Sequence, residues 1–130
     1  MITGIANVAL LVRDYDEAIA FYSGILGFKV VEDKDMGNGK RWITLEAPGK
    51  LGSRLLLSKA ATPEQQKYLG KQAGGRVAFF VYTNNFDADY AHFKSKGVVF
   101  CEEPRHELYG KVVVFEDLYG NRIDFIEPRA

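Results

Sequence analysis

The chain has 130 residues, and its 17 Lys and Arg balance its 17 Asp and Glu. It therefore lacks the basic field that attracts nucleic acid and the acidic excess typical of disordered chains. A single cysteine excludes an internal disulfide and a cysteine-rich zinc site, and it favours a cytoplasmic location. No apolar stretch approaches the roughly 18 residues of a membrane span. The apolar run Ile5–Val12 is followed at once by Arg13 and Asp14, which predicts a strand rather than a signal peptide.

The first half of the chain predicts the order strand, helix, strand, strand, strand. Val8–Val12 is a short apolar run typical of a buried strand. Asp14 or Asp16 can cap the following helix, whose apolar residues recur at spacings of three and four until Gly27. Three further strands are predicted, with a glycine-rich turn at residues 37–39 between the first two: Lys29–Asp33, Arg41–Glu46 and Arg54–Ser58.

The second half of the chain predicts nearly the same order of elements. Residues 61–74 show no strand pattern and form a candidate linker. A strand over Arg76–Val81 precedes a helix over Asp87–Lys96, which Asn85 or Asp87 can cap. Pro104–Gly110 is predicted as a polar connection. The remaining predicted strands are Val98–Glu102, Lys111–Phe115 and Arg122–Glu127.

The two halves also match in residues, which indicates an internal repeat. The segment NVALLV at 7–12 aligns with RVAFFV at 76–81, and DYDEAIAFY at 14–22 aligns with NFDADYAHF at 85–93. SRLLL at 53–57 aligns with NRIDF at 121–125. Each copy is too small to bury a sheet alone. We therefore expect one domain, residues 1–130, made of βαβββ units at 1–60 and 75–128.

Four segments carry a resemblance to a known superfamily over residues 2–128. They are NVALLVRDYDEAIAFYSGILGF, GGRVAFFV, the pair Pro104-Arg105 with Tyr109-Gly110, and FEDLYGNRIDF. Together they resemble the vicinal oxygen chelate superfamily, which contains glyoxalase I, bleomycin-resistance proteins, fosfomycin-resistance enzymes and extradiol dioxygenases. The resemblance implies an α+β fold of two tandem βαβββ units, with curled mixed sheets and helices on their outer faces. It also implies a homodimer.

The resemblance places the metal-binding positions of the superfamily on cup-facing strands, at Asn7, Leu56, Arg76 and Asp124. Leucine has no lone pair to donate, and arginine stays protonated. A catalytic divalent site needs about three protein donors and an open position. We therefore expect no metal site and no cofactor. The alternative is a rearranged site that recruits Glu107 or His106.

Arg76 and Asp124 are expected to replace the metal with an ion pair. One interpretation is a salt bridge that only closes a polar hole. The other is that Arg76 binds an anionic or carbonyl ligand, which Asp124 orients. A neighbouring cation lowers the pKa of a carboxyl group, which argues against Asp124 as a general base.

Further candidates lie on a hairpin and on the third strand. The hairpin that carries Arg105, His106, Glu107 and Tyr109 resembles the flap over the superfamily's cup. Of Arg41 and Trp42, one must face the cup and the other the opposite side, because side chains alternate along a strand. The candidate ligand-binding residues are Asn7, Arg41, Trp42, Leu56, Arg76, Arg105, Glu107, Tyr109 and Asp124.

Three functions remain open from the sequence. The first is metal-independent binding of a small organic molecule, anionic or carbonyl-bearing, in a cup-shaped cleft. The second is a metal-independent lyase or isomerase that uses Arg76 as an electrophile and a flap acid such as Glu107. Its catalytic candidates are Arg76, Asp124, Glu107 and Tyr109. The third is a metal-dependent glyoxalase-like or dioxygenase-like enzyme with a rearranged site. Bleomycin-type ligands are cationic, and a net charge of zero does not favour them. Arg41, Arg76 and Arg105, in or near the cup, favour an anionic or carbonyl ligand instead. No nucleic acid or membrane partner is expected.

Overall fold

The computed structural model describes residues 1–130 and confirms the α+β class. The first compact unit, Met1–Leu69, contains β1 (Asn7–Val12), α1 (Tyr15–Tyr22), β2 (Lys29–Gly37), β3 (Lys40–Glu46), β4 (Arg54–Lys59) and α2 (Pro63–Gln66). The second, Gly70–Ala130, contains β5 (Val77–Tyr82), α3 (Phe86–Ser95), β6 (Val99–Phe100), β7 (Arg105–Glu107), β8 (Gly110–Glu116) and β9 (Arg122–Pro128). None of these helices has the length and hydrophobicity needed to cross a bilayer.

The first unit is a four-stranded sheet in the order β1-β4-β3-β2, with β1 parallel to β4 and the other pairs antiparallel. Of the two cap candidates, Asp14 caps α1, because its side chain accepts a 2.9 Å hydrogen bond from the Glu17 amide. The helix ends at Tyr22, earlier than predicted. Gly27 still adopts a left-handed conformation (φ 85°), but after a run of turns rather than at the helix end.

The side of this sheet that packs against α1 is identified by Arg41. Its backbone amide donates to the Tyr15 hydroxyl, and its guanidinium pairs with Asp16, both residues of α1. Because side chains alternate along β3, Ile43 and Leu45 also face α1, and both are fully buried. The alternate residues of the strand face the other way. We call the face of each sheet opposite its helix the cup face.

The second unit is a five-stranded sheet in the order β5-β9-β8-β6, to which β7 adds by pairing with β8. Asn85 caps α3 by accepting a hydrogen bond from the Ala88 amide. The rings of α3 pack against those of the sheet in tilted contacts, with Phe93 and Phe125 centroids 5.3 Å apart. The residues of this aromatic cluster are Phe86, Tyr90, Phe93, Phe100, Phe115 and Phe125.

The strands near the hairpin differ from the prediction. β6 covers two residues instead of Val98–Glu102, and the predicted connection contains the short strand β7. The reason is Glu102, whose Oε2 accepts a 3.1 Å hydrogen bond from the Val114 amide of β8. In a longer β6, a backbone carbonyl of that strand would accept this hydrogen bond. The Glu102 carboxylate accepts it instead. At the end of the hairpin, the backbone of Gly110 lies close to the backbone of β9. A Cβ on Gly110 would clash with the Glu127 carbonyl oxygen, so this position requires glycine.

The turn between β8 and β9 is fixed by a buried carboxylate. Asp117 Oδ1 accepts hydrogen bonds of 2.9 Å from the amides of Tyr119 and Asn121. Its Oδ2 accepts a third, also 2.9 Å, from Nδ2 of Asn121. Asp117 and Asn121 are 6% and 2% exposed, so the turn satisfies its polar groups internally. It thereby determines where β9 starts.

Candidate functional site

Asp124 occupies the centre of the cup face of the second sheet. It lies on β9, opposite Phe80 of β5 and Val114 of β8. Its Oδ1 atom is buried and has no hydrogen-bond partner. Burial raises the pKa of this carboxyl, Arg105 partly opposes the effect, and Glu102 adds to it. A neighbouring cation does lower this pKa, as expected, but the cation is Arg105 and desolvation outweighs its effect, so the net shift is upward.

Arg76 does not form the expected ion pair with Asp124. It is exposed and precedes β5, and no carboxylate pairs with its guanidinium. The reason is strand register: Val77 pairs with Arg122, so Arg76 lies about three residues, roughly 10 Å at ~3.3 Å per residue, along the strand from the level of Asp124. An arginine side chain does not cover that distance. Arg76 and Asp124 are thus not brought together.

The cation beside Asp124 is instead Arg105, on β7. Its Nε donates to Glu102 Oε1 at 2.8 Å and its Nη1 donates to Glu107 Oε1 at 2.7 Å. These two carboxylates raise the pKa of Arg105, with Glu102 contributing most and Tyr109 adding a smaller effect. Tyr109 itself is 54% exposed. The predicted hairpin residues therefore do lie together, but the guanidinium is already held between two acids.

Two aromatic side chains project from β5 on the same face. Phe80 and Tyr82 alternate with Val81, which faces the helix side opposite Phe125. They are 64% and 71% exposed, unusual values for large apolar side chains on a strand. The cup face of the second sheet thus combines a partly buried carboxyl with exposed rings. Tyr82 was missed in the sequence, although its spacing of two from Phe80 would have indicated it.

On the cup face of the first sheet, the polar side chains pair with one another. Glu32 Oε1 accepts hydrogen bonds from Trp42 Nε1 (3.3 Å) and Thr44 Oγ1 (3.1 Å), which lower the Glu32 pKa. Arg54 lies 3.8 Å from Glu32 and 3.6 Å from Glu46. Trp42 therefore lies on the cup face. Trp42, Thr44 and Arg54 all find their polar partners among the side chains of the same sheet. The alternation along β2 was the signal that could have pointed to Glu32.

The other predicted residues of the first unit take different positions. Arg41 is on the helix side, where its guanidinium lies 2.9 Å from Asp16 and 2.7 Å from Asp33, so it does not line the cup face. Leu56 pairs with Thr44 and Ala9 and shares their face. Asn7 begins β1, opposite Arg54, on that same face.

The four residues at the superfamily's metal positions do not make a donor set for a divalent ion. Asn7 and Asp124 can supply oxygen atoms, Leu56 can supply none, and Arg76 is a permanent cation. No group of three or more His, Cys, Asp or Glu side chains is arranged to hold a metal. His106 and Glu107, the residues of the rearranged alternative, are adjacent on β7 and therefore point to opposite faces.

Several solved structures share this fold. UcmS2 superposes with a TM-score of 0.83 and 28% identity, covering 98% of this chain and 99% of that chain. TnmS3, an antibiotic binding protein from Streptomyces sp. CB03234, superposes with a TM-score of 0.78 and 25% identity, covering 98% of each chain. A superfamily member from Sphaerobacter thermophilus, 23% identical with a TM-score of 0.79, covers 97% of this chain and 98% of its own and supports the fold alone.

Sequence relatives extend over nearly the whole chain. An uncharacterized protein of Shewanella frigidimarina is 45% identical over 124 residues, 95% of this chain and 92% of that protein. The uncharacterized protein YurT of Bacillus subtilis is 34% identical over 125 residues, 95% of this chain and 98% of that protein. A family model matches residues 4–125. The chain therefore belongs to the Glyoxalase/Bleomycin resistance protein/Dioxygenase superfamily.

Proposed function

We propose that the protein binds a small organic molecule on the cup face of its second sheet, without a metal. The observation that carries the proposal is the buried, unpartnered Oδ1 of Asp124 directly opposite the exposed ring of Phe80. A buried acceptor without a partner costs about 1–3 kcal/mol. A ligand that donates a hydrogen bond there would recover this free energy and cover the aromatic surface at the same time.

The relatives of the chain support binding as the activity. TnmS3 is named an antibiotic binding protein, and its 25% identity extends over 98% of both chains. Small-molecule sites combine apolar and aromatic walls with a few placed polar groups, which is the composition found around Phe80, Tyr82 and Asp124. By the resemblance to the superfamily we also propose a homodimer, and by the single cysteine a cytoplasmic location.

The residues favour a site that works without a metal or a catalytic arginine. Arg76 and Leu56 do not suit metal coordination, for the chemical reasons given above. The lyase or isomerase hypothesis required a free Arg76 at the site and an uncommitted flap acid. Arg76 is distant along the strand, and Glu107 already accepts from Arg105. Binding is the simpler activity for this arrangement.

The expectation of an anionic ligand loses its main support in the geometry. It depended on three arginines near the cup. Arg41 faces α1, and Arg105 is held between Glu102 and Glu107. Of these three arginines only Arg76 has no ion-pair partner, and it does not reach Asp124. A carbonyl-bearing ligand remains compatible if it also carries a donor for Asp124.

The proposal is tested by titrating 2-naphthamide, a neutral flat probe, into the labelled protein and following backbone amide NMR shifts. We expect saturable shifts at Phe80, Tyr82 and Asp124 that are unchanged by EDTA. Calorimetry with Ni²⁺, Zn²⁺, Mn²⁺ and Fe²⁺ is expected to show no stoichiometric binding. Shifts confined to other surfaces, or binding that appears only after a metal is added, would overturn the proposal.

A further inference from the structure

We propose that the cup face of the second sheet selects flat molecules that carry a cationic hydrogen-bond donor, such as an amidinium or an aromatic ammonium group, with Asp124 as the acceptor. This inference rests on the proposed function and assigns a chemical class to its ligand. It departs from the anionic class that the sequence suggested.

Charge is the first argument. The carboxyl groups on this face are those of Asp124, Glu102, Glu107 and Glu116, and the guanidinium groups are those of Arg105 and Arg122. Arg105 is neutralised by Glu102 and Glu107, so it offers no attraction to an anion. Tyr82 on β5, Tyr109 of the hairpin and Cys101 after β6 also lie on this side, and burial raises the pKa of the Cys101 thiol. Carboxyl groups thus outnumber guanidinium groups on the cup face of the second sheet, which favours a cationic ligand over an anionic one.

The second argument is the position of the unused acceptor. Asp124 and Phe80 are direct partners on neighbouring parallel strands, which run about 4.8 Å apart. A flat group stacked on the Phe80 ring therefore has its edge beside the carboxyl. A donor on that edge would reach the Asp124 carboxyl, whose Oδ1 turns outward by a side-chain rotation and is the one buried side-chain oxygen without a partner. A charge-assisted bond is about twice as strong as a neutral one.

The third argument concerns the ligands that are rejected. A carboxylate in the same place would put two acceptors against each other in a partly desolvated position, where like charges repel strongly. The compensating cations would be Arg105, which would have to leave Glu102 or Glu107, and Arg122, which lies two residues before Asp124 on an exposed part of the strand. Because neither guanidinium pairs with Asp124, the charge of Asp124 is the first determinant of discrimination between a cation and an anion of the same shape.

The test compares three probes of one shape: 2-naphthamidine, 2-naphthamide and 2-naphthoate. We expect the amidine to bind at least tenfold more tightly than the carboxylate, with the amide between them. Asp124→Asn should weaken the amidine about tenfold and change the amide less than twofold. Asp87→Asn removes one negative charge from the helix side of the same unit, where Asp87 pairs with Lys111, and should change neither affinity.

A second measurement needs no variant. The amidine stays cationic across the neutral and acidic range, so its affinity for the unaltered protein should rise with pH as Asp124 ionises. Binding of the amide should vary much less. Equal affinities for amidine and carboxylate, or equal losses in Asp124→Asn and Asp87→Asn, would refute the selectivity while leaving binding itself intact. Failure of all three probes at this face would instead refute the proposed function.

Discussion

Asp124 lies opposite Phe80 across the parallel β5–β9 pair, whereas its counterpart in the repeat, Leu56, lies opposite Ala9 in the first sheet. The sequence repeat aligns Ala9 with Ala78, so β5 is displaced by two residues at this point. The displacement accompanies an irregularity between Val77 and Phe79. It places an aromatic ring beside the carboxyl and moves Arg76 away from it. The candidate site of the second sheet depends on this difference between two otherwise similar units.

Replacing Asp124 is expected to stabilise the fold. The raised pKa means that the folded state binds a proton more tightly than the unfolded state, so the ionised carboxyl costs stability at neutral pH. Stability of the unaltered protein should therefore gain from this group as pH falls through its folded pKa. Asp124→Asn should raise the thermal midpoint at pH 7 and remove that gain, as measured by calorimetry between pH 4 and 8. A lower midpoint at pH 7 would show that an unrecognised partner holds the carboxylate.

Arg76→Ala should leave the free energy of unfolding within about 0.5 kcal/mol of the original value, because the side chain is exposed and unpaired. Arg105→Ala should cost more, about 1 kcal/mol, since it removes two partly exposed pairs and leaves Glu102 and Glu107 facing each other. Urea denaturation of both variants makes the comparison. A loss of several kcal/mol in Arg76→Ala would instead support the Arg76–Asp124 salt bridge predicted from the sequence.

The strand register illustrates what the sequence can and cannot predict. Alternating apolar residues identify β5 and β9 and assign their faces, because a slip of one residue would turn every buried side chain outward. A slip of two residues keeps each side chain on its face, so the pattern is equally satisfied by both registers. The pairing of Arg76 with Asp124 required the register of the first unit. In the structure, β5 is instead shifted by one residue opposite Arg122 and by two opposite Asp124, through the irregularity between Val77 and Phe79.

The polar contacts were harder to predict than the strands. The sequence showed that Arg41 and Trp42 face opposite ways, but only the contacts with Asp16 and Glu32 determine which is which. Glu102 was absent from the candidates because it lies outside any regular pattern, three residues before Arg105. Its role depends on a bond to the Val114 amide, a contact between distant parts of the sequence.

Asp117→Ala is expected to destabilise the protein by about 2–4 kcal/mol. The substitution leaves the buried amides of Tyr119 and Asn121 and the Asn121 side chain without their acceptor. Asp35→Ala is the matched control, because Asp35 also accepts from a turn amide, that of Gly37, but in an exposed position. It should cost less than about 1 kcal/mol by urea denaturation. Similar losses in both variants would contradict a special role for the buried turn.

Trp42 is the only tryptophan and reports directly on Glu32, which accepts its indole hydrogen bond. The indole and Thr44 lower the Glu32 pKa, so the stability that this carboxylate contributes is present above its ordinary pKa and is lost as pH falls through the lower, folded value. Tryptophan fluorescence should therefore change with a midpoint below the usual range of glutamate. Glu32→Gln should abolish the transition, and Glu64→Gln on exposed α2 should preserve it. An unshifted midpoint, or its survival in Glu32→Gln, would mean that another group controls the indole and that the cup face of the first sheet is not held by Glu32.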